Sequence, residues 1–173
     1  MNGVWLLLPF LVVRFGLLSI INKNAIQRAG YFAPVQGHEK IAYFIYQVSN
    51  IGLFLYLIFL TVKIDFSLQF YMGVICYFLG IVLCVISIVC FVSPNAEGLN
   101  INGIYQFSRN PMYVAYFICF IGMSFLIQSL LLFGIVLIFQ ISAHWIILSE
   151  ERWCIESFGK SYKEYMKKVR RYI

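Results

Sequence analysis

Charged side chains are scarce in this sequence: 13 Lys and Arg and 7 Asp and Glu make up only 12% of 173 residues. Soluble domains carry roughly 25% charged residues, so a water-soluble globule is excluded. Paired cysteines are missing too. Cys76, Cys84, Cys90, Cys119 and Cys154 are odd in number, show no Cys-x-x-Cys spacing and lie mostly inside apolar runs, which excludes a disulfide framework and a cysteine metal site. No metal is expected. A lone His38 in a polar stretch reads as a solvated loop residue, and no strong general base stands out. The net charge of +6 could attract nucleic acid, but the basic residues sit at the edges of apolar runs, where anionic lipid headgroups are the simpler partner.

What is abundant is apolar surface. Hydrophobic residues make up 62% of the chain and the mean hydropathy is +0.85, so this is an integral membrane protein. One domain over residues 1–173 is expected, all-α and polytopic. Met1 to about Ile21 is the first span, because its start lacks the basic region and small-residue cleavage site of a signal peptide. Arg14 lies inside it and is expected to snorkel to a headgroup. Asn22 to Lys40 is a polar connection, Ala42 to Val62 the second span, and Leu68 to Val92 the third. Gly73 and Gly80, seven residues apart, share a helix face where a neighbour can pack closely. After a second polar connection, Met112 to about Ile127 and Leu130 to about Ser149 are separated only by Gln128-Ser129 and form a tight helical hairpin. Its first arm is short for a full span, so it is tilted or shielded by protein.

From Glu150 to Ile173 apolar and basic residues alternate at helical spacing, and a capping box follows Gly159 (Ser161, Glu164). Two short helices broken at Gly159, lying on the membrane surface, are expected. With five spans, one face holds Lys23, Arg28, Lys40, Arg109, Arg152 and the six tail residues Lys160, Lys163, Lys167, Lys168, Arg170 and Arg171, and the other holds only Lys63. That asymmetry makes the first face, with the C-terminus, cytoplasmic.

The stretch from Gly103 to Tyr113 alone concentrates polar groups, a turn and a cation within apolar surroundings. Pro111 suits the first position of a helix, where a missing N–H costs nothing. Asn110 then falls at the N-cap, and the first-turn N–H groups with Arg109 beside them could take a carboxylate or phosphate. The same residues could equally be a cap and turn before a membrane helix. The hairpin returns Glu150 and Glu151 to this corner, so one pocket could combine anion-binding N–H groups, tyrosine faces and a carboxylate, the set a zwitterionic, nucleoside-bearing cation requires.

Gly103-x-Tyr105, Arg109-Asn110-Pro111-x-Tyr113, Glu150-Glu151, Phe158-Gly159-x-x-Tyr162-x-x-Tyr165 and Val169-Arg170-Arg171 resemble the integral-membrane methyltransferases, which include isoprenylcysteine carboxyl methyltransferases and phospholipid N-methyltransferases. The resemblance covers about the last 75 residues. It implies that residues 93–173 form a cofactor-binding region behind three spans in 1–92. It also implies that S-adenosylmethionine is held by Tyr105, Asn110, Pro111, Met112, Tyr113 and Glu150, with Leu99 and Asn100 from the preceding connection. The acceptor would be a lipophilic small molecule or a lipid-modified one. The prenylcysteine enzymes place a carboxylate-binding arginine where this chain has Ile146, and His144 is the nearest polar alternative for the substrate. Glu151 is expected to be partly exposed, supporting the tail through Arg152 or another basic residue. Two rivals remain: an NADPH-dependent sterol-type membrane reductase and a non-enzymatic scaffold or transporter subunit.

Overall fold

The computed structural model describes residues 1–21 and 23–173; Asn22 and the side chains of residues 23–26, all in the first polar connection, lie outside the described residues. The described residues are helical, with no strand beyond a single bridge between Asn2 and Thr61. The first helix, α1 (Gly3–Ile21), is irregular. It opens with a 3-10 turn over Gly3–Leu6, capped by the Asn2 side chain, and widens into a π-helical turn over Val12–Leu17. A short helix α2 (Lys23–Gly30) follows. Then come α3 (Glu39–Phe59) and α4 (Leu68–Val92), the latter started by Ser67, whose hydroxyl accepts from the Phe70 N–H.

The hairpin consists of α5 (Pro111–Ile127) and α6 (Leu130–Lys168). Its turn is made by Gln128 in the left-handed region at φ 56° and by Ser129, whose hydroxyl caps Leu132. Among the described residues, α1, α3, α4 and α6 are long and apolar enough to cross a membrane. The fifth expected span, α5, has 17 residues and is about 25 Å long against a hydrocarbon core of about 30 Å. Most of its side chains are buried, so the shortfall is covered by protein. The sequence ran α6 only to about Ser149, but the helix continues unbroken past Phe158. No breaker intervenes before Gly159, where φ 54° and ψ −119° kink the chain into the expected second segment.

Packing is tightest between α4 and α5. A methyl group added at Gly80 would run into the backbone of Cys119, and one at Gly122 into that of Tyr77. The absence of side chains at these positions is what lets the two helices touch along their length. Around this seam Phe10, Phe120, Met123, Phe139 and Ile146 form the fully or nearly fully buried core.

The bundle has two distinct ends. At one, Val62 donates to Met1 O, Lys63 donates to Leu126 O, and the Gln128 amide reaches Asp65. At the other, Arg152 on α6 binds Glu39 at the start of α3 at 2.7 and 2.8 Å and donates to Pro34 O. This second end also holds the polar connection 93–110 and the tail.

Candidate functional site

The second end holds a partly open cavity of about 670 Å³, within the range of sites that take drug-sized ligands. Its floor is the corner before α5. A 3-10 turn, Gly103–Gln106, points Tyr105 inward, where it is buried, and burial pushes its phenol pKa well above the usual value. Asn110 occupies the N-cap position, but its side chain does not cap. It donates instead to Arg171 O at 3.1 Å, and the Asn110 N–H is taken by Ser108 Oγ. The first N–H groups of α5 therefore receive no side-chain cap, and Met112 and Tyr113, which carry them, line the cavity.

Across from this helix end stands Glu150. The Tyr113 hydroxyl donates to Glu150 Oε1 at 2.8 Å, so the two residues face the cavity as one unit. Glu150 is the first residue beyond the apolar stretch 130–149. Burial pushes its carboxyl pKa up to about 7, opposed by the Tyr113 hydrogen bond and by the charge of Arg14. Leu99 and Asn100 close the wall from the connection, with the Asn100 amide oriented to bond both Phe91 O at 3.0 Å and the Arg28 guanidinium at 3.1 Å.

Of the residues singled out in the sequence, Leu99, Asn100, Tyr105, Asn110, Met112, Tyr113 and Glu150 line this one cavity. Pro111 does not; it is buried beneath them, setting the start of the helix. His144 is outside the lining and its Nδ1 pairs with the Tyr172 hydroxyl at 2.7 Å.

Three expectations from the sequence change here. Glu151 does support the tail, through Arg171 at 2.8 Å, but it is not exposed: its side chain is 5% exposed and also pairs with Arg109 at 2.9 Å. Arg152 is committed to Glu39. Arg109 is neither a headgroup contact nor a free cation beside the helix end. Its side chain is 7% exposed and also donates to Met166 O, while its backbone N–H donates to Arg170 O. The tail is consequently more than a surface anchor. After Lys168 it turns extended at Val169 and is stitched across the corner by Ser108, Arg109 and Asn110. Hydrogen bonding to Glu151 holds the Arg171 pKa above its ordinary value. Further up the tail, Tyr162 and Tyr165 pack on Leu99, and the Tyr165 hydroxyl donates to Tyr105 O.

Arg14 is the residue whose site position the sequence did not reveal. Instead of snorkelling, it lines the cavity, its Nη2 donating to Ala29 O at 2.9 Å and its guanidinium lying over the Tyr116 ring at 5.6 Å. A charge inside an apolar span was the available signal; its direction depended on the neighbouring helices. Arg28 from α2 joins it in the lining, stacked 4.8 Å from the Phe91 ring.

Residues 51–161 match the family model of phospholipid methyltransferases. The chain is 41% identical over 71 residues to the protein-S-isoprenylcysteine O-methyltransferase of Schizosaccharomyces pombe, a match that covers 39% of this chain and 29% of that protein. The chain thus spans less than a third of the length of this curated relative. No solved structure matches it.

Proposed function

We propose that this chain, which belongs to the phospholipid methyltransferase family, is an S-adenosylmethionine-dependent enzyme that methylates a lipophilic acceptor at the membrane boundary. The observation that carries the reading is the Tyr113–Glu150 pair facing an uncapped helix N-terminus inside one cavity. The donor set fits the cofactor. The α5 N–H groups suit its carboxylate, Glu150 its ammonium or ribose hydroxyls, and the faces of Tyr113 and Tyr105 its sulfonium or adenine. When bound, S-adenosylmethionine supplies a methyl group activated by the positive sulfur.

The protein's part is alignment and exclusion of water. Glu150 holds a charged group at the mouth of the cavity, fixed in place by the Tyr113 hydroxyl. Tyr162 and Tyr165, clamped on Leu99 and Tyr105, close the water-facing side. The Arg109–Glu151–Arg171 network sets the distance between the tail and the α5 corner, and Arg109 and Glu151 also form part of the cavity wall. Residues 93–173 supply the cofactor-binding set, while 1–92 form the membrane scaffold and add Arg14, Arg28, Tyr46 and Phe91 to the cavity wall. The cofactor enters from the cytoplasmic side and the acceptor from the bilayer, the orientation that the Lys and Arg asymmetry supports. Named after its relatives, the acceptor is a prenylcysteine or a phospholipid.

The test is thermal unfolding of the detergent-purified protein. S-adenosylmethionine or S-adenosylhomocysteine raises the midpoint and NADPH does not; protection by NADPH alone overturns the reading in favour of a reductase.

A further inference from the structure

We propose that Arg14 is the anchor for an oxyanion on the methyl acceptor, either the carboxylate that itself takes the methyl group or a phosphate beside an amine that does. This rests on the methyltransferase reading above, which supplies the other ligand.

The first support is cost. Arg14 lies seven residues inside α1 from Ile21, about 10 Å below the helix end, at a depth where a charge is expensive and is kept for a reason. Its present contacts do not discharge that cost. Nη2 has the Ala29 carbonyl, but Nη1 is buried with no hydrogen-bond partner among the described residues, and no carboxylate in the described residues pairs with it. A buried orphan donor on a cation lining a cavity marks the place of a missing acceptor atom.

The second support is charge balance. Glu150, which feels the charge of Arg14 across the cavity, offsets one of the cofactor's two positive centres, the ammonium or the sulfonium; the other and Arg14 then oppose each other unless an anion enters with the second ligand. The cofactor's carboxylate already has a partner in the α5 N–H groups at the mouth. The anion for Arg14 therefore belongs to the second ligand, which the position of Arg14 also favours. It sits on the membrane helix whose neighbours Val12 and Phe15 face outward, 58% and 57% exposed. There α1 packs along α4 and meets α3 chiefly through its opening turn, Gly3–Leu6, which leaves the stretch around Arg14 open to a chain entering from the bilayer. The π-helical turn over Val12–Leu17 is the local irregularity that such a site accommodates.

The experiment measures binding, so it does not depend on turnover. Detergent-purified wild type, Arg14→Gln and Arg14→Lys are titrated with three probes in the presence of S-adenosylhomocysteine: N-acetyl-S-farnesylcysteine, its carboxamide, and a lysophosphatidylethanolamine. Wild type prefers the farnesyl carboxylate over the carboxamide, or binds the lysophospholipid, and Arg14→Gln weakens whichever anion binds by about tenfold or more. Arg14→Lys keeps part of that affinity, and S-adenosylhomocysteine affinity stays within about twofold in all three proteins, which also certifies their folding. The anion that shows the dependence identifies the source, carboxylate or phosphate. If Arg14→Gln instead loses S-adenosylhomocysteine and leaves the amphiphiles unchanged, Arg14 holds the cofactor and the proposal fails. Equal binding of acid and amide by wild type, with no binding of the lysophospholipid, also overturns it while leaving the methyltransferase reading intact. Anion binding that depends on Arg14 in a protein that ignores S-adenosylhomocysteine and S-adenosylmethionine keeps the anion site and removes the methyltransferase.

Discussion

The two ends of this bundle are built from the same kind of helix yet held by different chemistry. At the end containing Met1, residues 60–67 and the hairpin turn, closure comes from backbone hydrogen bonds and a few uncharged-donor contacts, the Asn2 amide on Ile58 O and the Gln128 amide on Asp65 and Ser67. At the other end a buried carboxylate is shared by two arginines, a third arginine ties α6 to α3, and a cavity lies between them. Backbone contacts suffice to stop a bundle from fraying. A buried ionic network adds little net stability over an apolar packing of equal volume, so its presence at one end only points to positional control of the cavity beside it.

That contrast is breakable, and the largest break is expected at Glu151. Replacing it with Gln leaves Arg109 buried without its counter-charge, which costs about 3 kcal/mol or more; denaturation of the purified variant in mild detergent measures the loss. A midpoint equal to wild type would mean that water already screens this pair.

Next in size is Glu150→Gln, which keeps the shape of the cavity and the fold. It removes a charge-assisted contact worth about 1.5 to 3 kcal/mol, or about 10- to 100-fold in S-adenosylmethionine affinity. Calorimetric titration of the two proteins checks this, and unchanged affinity takes Glu150 out of the site. Together the two variants separate adjacent carboxylates into a structural one, read by unfolding, and a ligand-facing one, read by binding.

A smaller effect comes from pH. With a carboxyl pKa of about 7 in the ligand-free protein, Glu150 is ionised above that pH and neutral below it. A cationic ligand binds the ionised form, so affinity is full on the alkaline side and falls as pH drops through 7. Between pH 8 and pH 6 the loss is about tenfold for one titrating group, and Glu150→Gln flattens the profile. A wild-type profile that is already flat would assign the charged contact elsewhere.

The smallest effect belongs to the opposite end. Asp65→Asn removes the Gln128 contact and the local bonds that hold the Asp65 carboxyl below its usual range, but the group is solvent-exposed, so neither unfolding nor ligand affinity changes measurably. A clear change in S-adenosylmethionine binding would show that the two ends are coupled through α5.

Legibility in the sequence follows the same division. The spans, the glycine face of α4, the Gln128-Ser129 turn and the break at Gly159 were readable because each depends on residues within a few positions of one another. The lining of the cavity was readable through motif order, which carried Leu99, Asn100, Tyr105, Asn110, Met112, Tyr113 and Glu150 to one place. The partners of charged residues were not. Arg109 chose Glu151 over lipid, Arg152 chose Glu39, 113 residues away, and Arg14 turned inward; each choice is made by helices that meet only in the assembled bundle. Asn110 shows the limit most plainly. It sits at the N-cap as its spacing before Pro111 predicts, yet its side chain serves Arg171 O, because the tail offers a carbonyl that the local sequence does not contain.

The stitching of the tail to the corner has a temporal side. Ser108 and Asn110 bind a carbonyl 63 and 61 residues further along the chain, so during synthesis the corner emerges well before its partner exists. The hairpin can form with Arg109 still in water, because the carboxylate that will pair with it has not yet been made. Only when α6 has left the ribosome and Gly159 has bent does the guanidinium exchange water for Glu151. The same residue is thus a hydrated charge early in the life of the chain and a buried tie later, and the cavity wall is completed at the moment of that exchange.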